Sequence, residues 1–196
     1  MPKITMICRS LEKSLTDKIQ SYGTLEYADW FSFEQSIKEL REKRDTDMLI
    51  TGMPPYNHLY DRSCLLIQET FHDLQIPIII YTTAEAKELK PLWFTPVFIV
   101  NRLGVDNWED SLLEIVNGIS KTWFPIDPEG RKQFMKILGA DYDTAGSDFP
   151  SASDIMLYLR FGAWTPEKAQ ESLTSLNQSR EIFGKTPIEK LQGKTL

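Results

Sequence analysis

The stretch DTDMLITGMPP, residues 45–55, carries the clearest fold signal in the sequence. Its centre, MLI, is continuously apolar, and a glycine and two prolines follow shortly after, which predicts a short buried strand that ends in a sharp loop. Strands that are apolar on both faces are typical of a parallel sheet covered by helices on both sides. Similar runs occur in KITMICRS, IPIIIYTT and TPVFIVNR, which are residues 3–10, 76–83 and 95–102.

Segments with helical periodicity separate these apolar runs. Leu15 and Ile19 recur at a spacing of four before Gly23, which predicts a helix that ends at that glycine. The segment TLEYADWF, residues 24–31, predicts a second strand, with Tyr27 among its inward-facing side chains.

The next helix is predicted in residues 32–44, with Ser32 as its N-cap, a glutamine three residues later, and a buried stripe of apolar side chains. Further helical patterns cover residues 61–74, 84–94 and 108–124. Alternating strands and helices predict an α/β fold: a five-stranded parallel, doubly wound sheet of the flavodoxin-like type.

The last third of the chain has a different character. Stretches rich in Pro, Gly, Asp and Ser separate short helical patterns, which predicts an α/β domain at residues 1–124 and a small α-helical C-terminal region at 125–196. Six large apolar residues of this region are too many for a free linker, so they are expected to cover the first domain, a second copy or another protein. They are Leu157, Leu159, Phe161, Trp164, Leu173 and Leu176.

Charge and cysteine content narrow the function classes. The net charge is −6, which disfavours a nucleic-acid partner, although a local basic patch would still permit one. The chain has two cysteines, too few for a disulfide framework, and the sequence shows neither a signal-peptide pattern nor a long apolar span. We therefore expect a cytoplasmic protein without membrane association.

Side chains that follow the predicted strands should meet at the carboxyl edge of the sheet, where open α/β sheets place their functional groups. These residues are Cys8, Arg9, Thr51, Thr82, Thr83, Asn101 and Arg102. Because the set contains no carboxylate, it predicts neither a metal site nor a metal-dependent reaction at this edge.

The order of these segments resembles the receiver domain of two-component response regulators over roughly residues 3–121. KITMICRS corresponds to the first strand of that family, DMLITGMPP to the strand and loop that carry its phosphoacceptor, and IPIIIYTTAEAKE to its fourth strand. Receivers use two acidic residues after the first strand to hold Mg²⁺, an Asp at the end of the third strand, a Ser or Thr after the fourth, and a Lys after the fifth.

Three of these five positions lack the acid that the resemblance requires. The acidic pair falls on Cys8 and Arg9, and the acceptor falls on Thr51. Mg²⁺ prefers carboxylate oxygens, and the fixed charge of an arginine would repel it. A threonine hydroxyl also needs a separate base before it can accept a phosphoryl group.

The other two positions are Thr83, which agrees with the family pattern, and Asn101, which replaces the lysine and has Arg102 beside it. The resemblance therefore implies a receiver fold with a degenerate pocket, and we expect a non-enzymatic pseudo-receiver without a cofactor. Such a module would bind a protein partner in bacterial signalling or transcriptional regulation, and a homodimer is left open.

Two alternatives remain. A DNA-binding regulator would use the C-terminal region as its output, although that region has 10 acidic and 9 basic residues and no helix-turn-helix with a basic second helix. An enzyme or anion-binding protein would use the strand-end cleft, where Arg9, Thr51, Thr83 and Arg102 could hold an anion.

Aromatic and apolar residues around the fifth strand form the predicted partner surface, because receivers bind partners on this side and aromatic residues are enriched at interface centres. They are Trp93, Phe94, Leu103 and Trp108.

Overall fold

The computed structural model describes most of the first two thirds of the chain. The described residues are 1–8, 11–53, 60–84, 88–89, 92, 95, 97–102 and 106–127, together with Thr174, Gln178, Glu181 and Ile182. The chain divides into two compact units, Met1–Val116 and Asn117–Leu196.

Five strands and four α-helices make up the regular structure of the described residues. The strands are β1 (Lys3–Ile7), β2 (Thr24–Ala28), β3 (Met48–Gly52), β4 (Ile78–Thr82) and β5 (Phe98–Asn101). The helices are α1 (Lys13–Gln20), α2 (Phe33–Lys43), α3 (Tyr60–Leu74) and α4 (Trp108–Thr122). Glu88, Leu89 and Leu92 have 3₁₀ conformation within the segment predicted as a helix, most of which lies outside the described residues.

The sheet is entirely parallel, with strand order β2-β1-β3-β4-β5. This arrangement confirms the predicted doubly wound, flavodoxin-like α/β fold. The stretch that carried the fold prediction forms β3 at the centre, where all five residues are buried, and β4 beside it is equally buried. In the second unit, the described residues Thr174, Gln178, Glu181 and Ile182 are helical.

The core of the sheet comes from the apolar runs. Nine apolar strand residues are completely buried: Ile4, Met6, Ile7, Met48, Leu49, Ile50, Ile78, Ile79 and Ile80. At about 25 cal/mol per Å² of apolar surface, burial of such side chains is the main favourable term for the fold. All five residues of β3 are buried, and successive side chains point to opposite faces, so β3 contributes to the core on both faces of the sheet.

The edge strand β2 departs from the expectation. Tyr27 was predicted to face inward, but 60% of it is exposed, because β2 has a neighbour on one side only and its outer residues are not covered by the layers that bury β3 and β4. Leu65 of α3 was also placed in an apolar stripe and is 53% exposed, whereas the predicted stripe of α2 is buried.

Ion pairs connect α2 to α3 on the surface of the first unit. Arg41 pairs with Glu69 at 2.7 Å and with Asp73 at 2.5 Å, and Arg62 pairs with Glu34 at 2.5 Å. Because these pairs are partly exposed, each contributes at most about 1 kcal/mol to stability. None of the helices in the described parts of the chain is long and apolar enough to cross a bilayer.

Candidate functional site

The predicted pocket residues that the structure describes lie at or beside the carboxyl edge of the sheet. Cys8 directly follows β1, Thr83 directly follows β4, and Asn101 is the last residue of β5 with Arg102 after it. All strands are parallel, so their ends meet at one edge. Arg9 lies outside the described residues, and its predicted place in the metal position stays a prediction.

Thr51, which the resemblance to receivers predicts as the phosphoacceptor position, is fully buried within β3. Its Oγ1 lies 3.2 Å from the carbonyl oxygen of Ile7 and 3.1 Å from that of Gly52. A hydroxyl has one proton to donate, and here it is committed to the main chain. The oxygen of Thr51 is therefore not solvent-accessible, and among the described residues its hydrogen-bond partners are main-chain carbonyls and not a base that could activate it.

The two threonines at the end of β4 have different roles. Thr82 is buried, and its Oγ1 accepts a hydrogen bond of 2.9 Å from the backbone N–H of Ala84, which stabilises the turn out of the strand. Thr83, which matches the hydroxyl position of receivers, is exposed. It is the one predicted pocket hydroxyl that faces solvent.

Strand register determines which side chains share a face at this edge. Gly52, Tyr81 and Val100 are aligned across β3, β4 and β5, so they lie on the same face of the sheet. Strand alternation continues this face to Arg102. Thr51 lies on the opposite face, together with Ile99 of β5.

A stack of two aromatic rings and a guanidinium occupies the first of these faces. The rings of Tyr81 and Trp108 are stacked with centroids 5.9 Å apart and planes 22° apart. The Cζ atom of Arg102 lies 4.6 Å from the centroid of Trp108 and 5.9 Å from that of Tyr81, within the range of cation–π attraction. We call Tyr81, Arg102 and Trp108 the carboxyl-edge stack.

The phenol end of Tyr81 points away from Arg102's strand toward β3 and β1. A Cβ atom added at Gly52 would lie 3.3 Å from the Tyr81 hydroxyl and 3.4 Å from Nε1 of Trp30, so the absence of a side chain at Gly52 allows both groups to approach the backbone. The Tyr81 hydroxyl also contacts the thiol of Cys8. Tyr81 thus fills the edge of the sheet over β3.

The Tyr81 hydroxyl is poorly satisfied in this position. Tyr81 is 4% exposed, and its hydroxyl has no oxygen or nitrogen partner among the described residues. The Cys8 thiol is its polar neighbour, and a thiol is only a weak hydrogen-bonding group. Burial of a hydroxyl with so weak a partner costs free energy.

This cost predicts the effect of Tyr81→Phe, which removes the hydroxyl and keeps the ring against Trp108. We expect the free energy of unfolding to stay equal or to rise by up to about 1 kcal/mol, because a buried donor without a good acceptor is replaced by an apolar edge. Urea denaturation of the two full-length proteins measures it. A loss of more than about 1 kcal/mol would mean that the hydroxyl makes a strong bond.

The thiol of Cys8 is held in its neutral form. Burial raises its pKa, and the nearby Tyr81 hydroxyl and Leu11 backbone lower the pKa only in part. Burial also raises the pKa of Cys64 in α3 to about 11, with the charge of Asp61 adding to the effect, and burial raises the pKa of Tyr81 as well. A nucleophilic cysteine needs the opposite environment, one that favours the thiolate.

These shifts predict slow thiol chemistry in the native protein. At pH 7 an aromatic disulfide reagent should modify Cys8 more slowly than a free cysteine, and Cys64, which is 0% exposed, only after unfolding. Because only the thiolate reacts, the rate at Cys8 should keep rising above about pH 10, where a free cysteine, with a pKa of about 8.5, is almost fully ionised and its rate no longer increases. The variants Cys8→Ser and Cys64→Ser show which cysteine gives each phase of the reaction. A rate at Cys8 that levels off below pH 8 would contradict the raised pKa.

The predicted partner surface is described only in part. Trp93, Phe94 and Leu103 lie outside the described residues. Trp108 is half-buried and belongs to the carboxyl-edge stack. Ile99, which the sequence did not single out, is 41% exposed on the edge strand β5, on the face opposite to the carboxyl-edge stack.

No cluster of three or more acidic, histidine or cysteine side chains that could hold a metal ion occurs within the described residues. Comparison with known proteins found no match to a family model, a curated protein or a solved structure.

Proposed function

We propose that this chain is a pseudo-receiver: a regulatory module, in bacterial signalling or transcriptional control, that binds another protein and is not switched by phosphoryl transfer. The observation that supports it most is the state of Thr51. The residue in the acceptor position has no exposed oxygen, and its hydroxyl is bonded to the backbone of β1 or of Gly52. On the other face of the sheet, burial raises the pKa of both Cys8 and Tyr81, which favours their neutral forms.

The partner would bind on the side of the sheet formed by β5 and the start of α4. This edge strand exposes Ile99, and Arg102 and Trp108 form a polar and aromatic surface beyond its end. An aromatic ring and an arginine are residue types enriched at interface centres, and Ile99 adds an exposed apolar side chain on the other face of the same edge strand. The C-terminal region would assist assembly or partner recognition; Ile182 there is 80% exposed.

The proposal is tested with a two-hybrid library screen that uses the full chain as bait, followed by retesting of each interaction with two variants. Ile99→Asp places a charge on the proposed surface, and Leu65→Asp places the same charge on an exposed apolar residue of α3. We expect at least one interaction to be lost with Ile99→Asp and kept with Leu65→Asp. Interactions that are all insensitive to Ile99→Asp would contradict the proposed surface.

The DNA-binding alternative is tested on the same full chain. At low salt, where even non-specific electrostatic binding is strong, we expect no retention on immobilised mixed-sequence DNA, since the net charge is −6. Retention that disappears with increasing salt would favour a DNA-binding regulator instead.

A further inference from the structure

The guanidinium of Arg102 lies over an aromatic ring and has no acidic partner among the described residues. Its guanidinium carbon lies 4.6 Å from the ring centroid of Trp108, its side chain is exposed, and no carboxylate pairs with it among the described residues. By contrast, the guanidinium groups of Arg41 and Arg62 are each bound to carboxylates of the neighbouring helix, and Arg44 has neither an ion pair nor an aromatic support among the described residues. The N–H donors of Arg102 are therefore available to a ligand.

The surroundings of Arg102 fix its position further. Its backbone N–H donates a hydrogen bond of 2.8 Å to the carbonyl of Thr82, which ties the end of β5 to the end of β4. Below the guanidinium, the rings of Tyr81 and Trp108 are stacked, so the planar group rests on a flat aromatic base. An arginine that is oriented before binding loses less rotamer entropy when it captures a ligand.

The Tyr81 hydroxyl, the other polar group within the stack, carries no negative charge. The Tyr81 hydroxyl stays neutral because its pKa is raised by burial, and the charge of Arg102 opposes that rise only in part. Thr83, exposed at the adjacent strand end, adds a hydroxyl at the same edge of the sheet. The two carboxylates in the first turn of α4, Glu109 and Asp110, form no ion pair with Arg102.

We propose that Arg102, supported by Trp108 and Tyr81, is a binding site for an oxyanion, either a carboxylate or a phosphate. The guanidinium fork matches two oxygens of such a group, and stacking on the rings leaves its edge open to receive them. The site goes beyond the proposed partner binding: it requires neither phosphoryl transfer nor a protein partner, although an acidic side chain of a partner is one source of the carboxylate.

The test is a titration of the ¹⁵N-labelled full chain with sodium phosphate, with sodium acetate and, as the ionic-strength control, with sodium chloride. The side-chain Nε–H signal of Arg102 and the indole N–H signal of Trp108 are followed, after assignment with Arg102→Lys and Trp108→Phe. We expect both signals to shift along a saturating curve with phosphate or acetate and to move little with chloride. Tighter binding of phosphate identifies a phosphate ligand, and equal or tighter binding of acetate identifies a carboxylate.

Three variants distinguish binding by the guanidinium of Arg102 from an effect of the protein's net charge. Arg102→Gln should weaken binding by about tenfold or more, the size expected for the loss of a charged hydrogen-bonding pair. Arg102→Lys keeps the charge without the fork and should weaken binding severalfold. Arg41→Gln, in which the lost guanidinium was already paired, should keep the affinity within about twofold.

Either of two results would contradict the proposed oxyanion site. One is a chloride titration that gives the same shifts as the oxyanions. The other is an affinity that falls equally in Arg102→Gln and Arg41→Gln, which would reflect net charge alone. Far-ultraviolet circular dichroism and urea denaturation of each variant check that it is folded, so loss of binding is not confused with loss of the fold.

Discussion

Thr51→Asp, which introduces the carboxylate that receivers carry at the proposed acceptor position, should destabilise the protein by about 3–5 kcal/mol at pH 7. Thr51 is 0% exposed, and the carbonyl oxygens of Ile7 and Gly52 lie 3.2 and 3.1 Å from its hydroxyl. A carboxylate there would lose its hydration and face two acceptors in place of donors. Urea denaturation at pH 7, with the unmodified chain in parallel, measures the loss.

The penalty should depend on pH in a defined direction. Burial raises the pKa of the introduced carboxyl above the unfolded value of about 3.9, so the folded state holds the proton over a range in which the unfolded state has released it. The penalty for charge burial is therefore absent below pH 4 and develops as the pH rises through the raised pKa. The difference in unfolding free energy between variant and parent should shrink from pH 7 to pH 5.

Thr83→Asp is the matched control, because Thr83 is exposed at the end of the adjacent strand. We expect it to change the free energy of unfolding by no more than about 0.5 kcal/mol. Equal effects of the two substitutions would mean that position 51 tolerates a carboxylate, as an intact receiver pocket does.

Gly23→Ala should cost about 2–3 kcal/mol of unfolding free energy, the upper part of the range for overpacking. The added Cβ would lie 2.5 Å from the carbonyl oxygen of Pro2 and 3.1 Å from a methyl carbon of Ile4. The same Pro2 oxygen accepts a hydrogen bond of 2.8 Å from Thr24, which starts β2 beside β1, so the backbone cannot move away without weakening the sheet. Chemical denaturation of the variant checks the value.

Gly52→Ala is the comparison for this prediction. Its added Cβ would lie 3.3 Å from the Tyr81 hydroxyl and 3.4 Å from Nε1 of Trp30, contacts that small side-chain shifts can relieve. We expect a loss of about 1 kcal/mol. A loss at Gly52 that equals or exceeds the loss at Gly23 would show that Tyr81 and Trp30 are held more rigidly than the backbone at Pro2.

The sequence was sufficient to predict the fold because the strands are continuous apolar runs. The periodicity of α2 was equally informative: Phe33, Ile37 and Leu40 are all buried as predicted. Local signals were weaker at helix ends. Ser32 is the N-cap of α2 but its side chain makes no capping hydrogen bond, and the glutamine of the predicted capping box donates to Glu39 instead.

The end of α2 also had no sequence signal. Arg44 adopts a left-handed conformation with φ of 52° and donates to the carbonyl of Leu40, a position at which helices commonly have glycine. The strain of this conformation in a residue with a Cβ must be offset by the packing of the helix and the start of the next strand, and such tertiary effects cannot be deduced from neighbouring residues.

The sequence was sufficient to predict which residues lie at the strand ends, but not how their side chains are arranged. Sequence reasoning identified Arg102 and Trp108 in separate roles, and the structure places them in one stack. Tyr81 was missed because it lies inside an apolar run, where its ring suggested core packing only. Its contact with Trp108 depends on strand register and on where α4 begins, and both are set by long-range packing.

The central claim is that the acceptor position cannot accept a phosphoryl group, and intact-mass spectrometry after incubation with acetyl phosphate and Mg²⁺ tests it most directly. The unmodified full chain is compared with Thr51→Ala and Thr83→Ala. The buried and internally bonded hydroxyl of Thr51 predicts an unchanged mass for all three proteins. A single phosphoryl adduct that is present in the unmodified chain and in Thr83→Ala, and absent in Thr51→Ala, would contradict the account.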